Sequence, residues 1–166
     1  MGLLARESAR PDDALLRELQ RAYADEWFAH YNYYIASQLI TGSSAASVAT
    51  LLRGKSEQAF RRADRLAERI IQLGATPITK LTNLVDAATD KPFKLPEETS
   101  DIDALLKAVL DAERTSMRTH EAILEQTAGR DAITAALSLE LLTEATQGEQ
   151  TLERLIGGPA PEMTGQ

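Results

Sequence analysis

The feature that most constrains this chain is the unequal spacing of its helix breaks. Pro11-Asp12-Asp13 reads as a helix start, Thr41-Gly42-Ser43-Ser44 as a break and Leu73-Gly74 as a helix end. Gly129 separates two further stretches, and Gly157-Gly158-Pro159 ends the last. Four long helices are predicted: A at 12–41, B at 44–73, C at 101–128 and D at 131–156. A joins B, and C joins D, through a few residues, so each pair forms an antiparallel hairpin. The B-to-C connection differs, because its 26 residues (75–100) suffice to cross the height of the bundle. Within it TKLTNLVDAA (79–88) is predicted as a short helix, while Pro92 and Pro96 keep DKPFKLPEETSD (90–101) extended. Ser100 with Asp103 reads as a capping box opening helix C. The expected organisation is an all-α bundle over 12–156, preceded by an arm (1–11) and followed by a Pro/Gly-rich tail (157–166).

Composition agrees and removes several functions. Twenty-six alanines and 23 leucines stand against three valines, so helix formers dominate. No cysteine is present, which excludes a disulfide framework, a thiolate nucleophile and Cys-ligated zinc or iron–sulfur sites. Nothing approaches the ~18 consecutive apolar residues of a membrane span, and the first ten residues lack a signal-type apolar region. A soluble, cytoplasmic protein is expected. Its net charge of −7 argues against a broad nucleic-acid surface, which needs clustered cations.

Chemistry enters through the seams of the helices. The 3/4 alternation along A runs Leu15, Leu19, Ala22, Glu26, Ala29, Tyr33, Ser37, Ile40. Along C it runs Ile102, Leu106, Val109, Glu113, Ser116, His120, Ile123, Thr127. Each seam carries a carboxylate at mid-height. An unpartnered ionised carboxylate in a core is too costly to be casual, so something cationic is expected between Glu26 and Glu113.

Three stretches carry a family resemblance: Glu26-Trp27-Phe28-Ala29-His30-Tyr31-Asn32-Tyr33, RRADRLAERIIQLGA (61–75) and LDAERTSMRTHEAIL (110–124). They resemble the first three helices of bacterioferritins and Dps-like mini-ferritins, and PFKLPEETSD (92–101) resembles the Dps-type crossover. The resemblance implies a ferritin-like four-helix bundle, an oligomer, and a role in iron storage or homeostasis. It also implies a di-iron centre built from a Glu on A, a Glu on C, and a Glu-x-x-His on each of B and D. Glu26 and Glu113 match the first two places. On B the remaining places fall on Ala59 and Arg62. On D they fall on Ala145 and Gly148, or on Thr146 and Glu149 if the register slips by one. A heme-ligating methionine has no counterpart, since Phe60 stands beside Ala59.

The chain thus resembles a ferritin whose centre has been dismantled, with Glu26 and Glu113 as vestigial metal positions. Arg62 has the fixed charge and donors to bridge two carboxylates, and a Glu26–Arg62–Glu113 triad is expected there. Tyr33 or His120 is expected to supply the remaining hydrogen bonds, with His30 one turn from Glu26. The bare seam of B (Leu52, Ser56, Ala59, Ala63, Leu66, Ile70, Leu73) points Ala63 inward and puts Arg62 at its edge. No resident cofactor is expected. The alternative is an active iron-oxidising mini-ferritin with an atypical site around Glu26 and Glu113, drawing on His30 and on Glu144 or Glu149. A Dps-type DNA protector ranks third because of the acidic charge. Asp64 and Glu68 are expected at the surface or an interface. The crowd of Trp27, Phe28, Tyr31, Tyr33 and Tyr34 exceeds one seam and points to a two-fold interface between copies.

Overall fold

A computed structural model describes residues 12–89 and 96–157. It contains α1 (Asp13–Leu39), α2 (Ala45–Gln72), α3 (Leu81–Ala87), α4 (Ile102–Thr127) and α5 (Ala132–Ile156), with no strand among the described residues. Four helices of 25 to 28 residues form the bundle, and α3 is the short helix of the connection. The predicted arm, residues 90–95 of the extended segment and 158–166 of the tail lie outside the described residues.

Local chemistry sets the ends. The Asp12 side chain accepts the Ala14 N–H at the start of α1, and Asp131 does the same for Thr134 at the start of α5. At α4 the cap is Asp101, accepting from Ala104, rather than the Ser100 of the expected capping box. A carboxylate at the positive end of a helix is a strong acceptor and takes that place. α2 stops in a Schellman turn: Gly74 takes φ +84°, its N–H reaches the Ile71 carbonyl, and Ala75 N–H reaches that of Ile70.

Two apolar clusters show how the helices run. Tyr33, Val48, Leu52, Leu105, Val109 and Leu152 share one; Leu15, Leu19, Leu66, Ile70, Ile123 and Leu141 share the other. α1 therefore runs from the second cluster to the first and α2 returns, while α4 runs from the first to the second and α5 returns. Since α2 ends at the second cluster and α4 starts at the first, the connection must traverse the bundle. It does so along α1. Gln20 bonds the Thr76 carbonyl and the Ile78 N–H, Asp25 accepts the Thr89 N–H, and Thr41 N–H donates to the Thr99 carbonyl.

The pairs α1–α2, α4–α5 and α1–α4 pack closely, whereas α2 and α5 stand further apart. Long side chains span that gap. Arg65 pairs with Glu140 and, at 2.9 Å, with Glu144; Arg69 reaches Asp131 at 2.8 Å and the Thr134 hydroxyl at 2.8 Å. Arg69 is buried, so its guanidinium sits inside the bundle, fully engaged. No helix among the described residues is long and apolar enough to cross a membrane.

Candidate functional site

Between the two apolar clusters the bundle has a charged waist. Glu26 on α1, Lys55 and Arg62 on α2, and Glu113 and His120 on α4 are all buried there, none more than 7% exposed. The surroundings explain the tolerance, because each charge finds an opposite one and buried charges persist only when paired.

Arg62 lies between the two seam carboxylates. Its Nη1 is 3.5 Å from Glu26 Oε1, its Nη2 is 3.5 Å from Glu113 Oε2, and its Nε is 3.4 Å from Glu144 Oε2. The seam of α2 places Arg62 at its edge with Ala63 inward, yet both side chains are buried, because the wide α2–α5 gap admits the long arm of Arg62 beside Ala63. Lys55, one heptad earlier on α2, bonds Glu113 Oε1 at 2.8 Å.

Glu26 Oε1 also accepts from the Ser116 hydroxyl at 3.0 Å, and His120 Nε2 lies 3.7 Å away. Its Oε2 and the Nδ1 of His120 have no hydrogen-bond partner. Burial works to raise the Glu26 pKa, but the Arg62 charge and the His120 and Ser116 side chains outweigh it and hold the carboxyl below its ordinary value. Burial works to lower the Arg62 pKa; Glu26, Glu113, Glu144 and the nearby Tyr33 reverse the sign and raise it.

The other positions singled out from sequence separate clearly. Ala59, Ala145 and Gly148 all face the interior, so the register of α5 is the Ala145/Gly148 one. Glu149 turns outward to Arg114 at 2.7 Å and does not join the waist. Tyr33 is buried in the first apolar cluster and acts on Arg62 electrostatically. His30 points elsewhere: its Nδ1 lies 2.9 Å from the Ser56 carbonyl, the Ser56 hydroxyl donates to the His30 carbonyl, and its ring packs on Trp27 and Phe60. Asp64 and Glu68 are exposed. Lys55 and Arg69 were invisible to the seam reading. The signal for them was the spacing 55, 62, 69, which stacks three cations on one stripe of α2.

A ferritin-like domain profile matches residues 16–158. The chain belongs to the ferritin-like family. Among its relatives is a DNA protection during starvation protein of Pyrococcus furiosus, 29% identical over 146 residues, which cover 88% of this chain and 78% of that one. A dodecameric thioferritin, the bacterioferritin-related protein of Bacteroides fragilis, superposes with TM-score 0.80 at 25% identity, over 87% of this chain and 85% of its own. Dps from Thermosynechococcus elongatus superposes with TM-score 0.81 at 18% identity, over 92% and 96% of the two chains.

The family's centre pairs carboxylates with a Glu-x-x-His on each of two helices, and the waist does not fit it. Alanine, glycine and arginine occupy the four places on α2 and α5. Two cationic heads lie against the remaining carboxylates. Among the described residues no group of three or more His, Asp and Glu side chains is arranged to hold a metal ion.

Proposed function

We propose that this is an oligomeric ferritin-like protein of iron storage or homeostasis whose intrasubunit centre is an ion cluster instead of a di-iron site. It acts as a shell or partner subunit without ferroxidase activity of its own. The observation that carries the reading is Arg62 lodged between Glu26 and Glu113 with both carboxylates buried. A divalent cation placed between those carboxylates would meet a fixed positive charge in a region of low dielectric, where like-charge repulsion is strong. Oligomerisation is supported by the exposed aromatics of α1 and α2 and by the dodecamer named for the Bacteroides relative.

The test is Fe(II) oxidation followed by absorbance on purified protein, with bound iron measured alongside. Oxidation at the rate of protein-free buffer is expected. Catalysed oxidation that disappears in Glu26→Gln and Glu113→Gln would instead establish the active mini-ferritin. The Pyrococcus relative is named for DNA protection, and the net charge of −7 supports a reading of this chain without DNA binding. A gel shift with linear duplex at low salt checks it, and a retarded complex would overturn that part of the reading.

A further inference from the structure

Glu26 and Glu113 bring two negative charges into the waist, and Arg62 supplies one positive charge. Lys55 supplies the second, and its contact is the tighter one, 2.8 Å to Glu113 against 3.5 Å for each Arg62 bond to the seam carboxylates. The place it occupies is specific. A Cβ at Gly148, one of the four lost ligand positions, would lie 2.5 Å from Lys55 Nζ and 2.9 Å from Glu113 Oε2. The ammonium therefore fills the space that a side chain on α5 would need, while Arg62 itself stands at another of the four positions. Beyond Lys55 the interior opens into a groove of about 320 Å³ between α2 and α5, floored in part by Gly54 and Gly148. The Lys55 head thus stands between the buried carboxylate and the open side of the waist.

We propose that Lys55 is a second positive stand-in at the centre, and that its bond to Glu113 keeps divalent cations out even when Arg62 is gone. The inference rests on the metal-free reading of the centre given above. It adds that exclusion is shared between two cations from one helix, so that losing either leaves Glu113 paired.

The test is Co(II) titration of the full-length protein, read by visible absorption and calorimetry, on wild type, Lys55→Met, Arg62→Met and the double variant. The double variant is expected to take up Co(II) at least about tenfold more tightly than either single variant, and adding Glu113→Gln should abolish that gain. A folded double variant that binds Co(II) no more tightly than Arg62→Met would overturn the role of Lys55 while leaving the metal-free reading standing. Glu113-dependent Co(II) binding by wild type would overturn the metal-free reading itself. If the double variant does not fold, lysine-ammonium NMR on wild type decides the matter. One slowly exchanging ammonium that vanishes in Lys55→Arg is expected. Exchange of every lysine at the solvent rate would overturn the proposal.

Discussion

Arg62 carries more of the waist than any other side chain, since it touches carboxylates from α1, α4 and α5 at once. Taking away one partner of a buried ion pair strands the other, which typically costs ~3–5 kcal/mol. Arg62→Ala should lower the urea midpoint accordingly while the slope stays constant. Gly148→Ala disturbs the same waist by adding atoms instead of removing them. In an exposed helix interior the change would gain about 1 kcal/mol; here the new methyl displaces the flexible Lys55 head and breaks its buried bond to Glu113. The melting temperature should therefore fall, with Lys55 displaced into the groove. Acid acts on Glu26. Its folded pKa is lowered from the ordinary 4.5, so beneath that value the unfolded chain takes up a proton that the folded chain still refuses. Stability contributed by Glu26 is present above pH 4.5 and is lost as pH falls through the lower, folded pKa. Urea melts between about pH 5 and 3 should show the decline, and Glu26→Gln should make it shallower.

At the scale of elements, the junction between α2 and α5 is the most informative. Asp131 caps α5 by accepting the Thr134 N–H at 3.1 Å, and it also receives Arg69 from α2 at 2.8 Å. Burial pushes its pKa up, yet the Thr134 bonds and the Arg69 charge bring it below the ordinary value. Asp131→Asn keeps a capping oxygen and loses the charge, whereas Asp131→Ala loses both. The second should cost about 1 kcal/mol more in chemical unfolding, the worth of a cap. This junction also marks where sequence reading stops. Glu26 and Glu113 were legible because the 3/4 alternation runs straight through them, and the helices were legible because Asp12, Gly74 and Gly129 punctuate them. Lys55 and Arg69 were not, because long cations beside a seam normally lie at the surface. The 55, 62, 69 spacing marks a stripe of cations, but only the separation of α2 from α5 lets that stripe turn inward. Ser116 was on the seam, but its bond to Glu26 depends on how α1 and α4 face each other across space.

For the whole molecule, a charged layer between two apolar clusters changes what the core can do for stability. The clusters supply non-directional burial, while the waist fixes which helix faces which, because a register slip would separate Glu26, Arg62 and Glu113. Tyr31 at 61%, Tyr34 at 50% and Phe60 at 45% exposure lie around the partly buried Trp27, whose ring stands edge-on to Phe60 at 5.6 Å. On the connection, Leu81 and Val85 expose a further apolar edge one helical turn apart. Patches of this composition are enriched where proteins meet, and a two-fold pairing through α1 and α2 would cover the aromatic one. Sedimentation of the wild type at micromolar concentration should show at least a dimer. Tyr31→Glu with Phe60→Glu should shift it toward monomer with little change in the helical signal, since both side chains lie outside the packed core. A wild type that sediments as a monomer at high micromolar concentration would refute the assembly, and with it the shell role, while leaving the chemistry of the waist untouched.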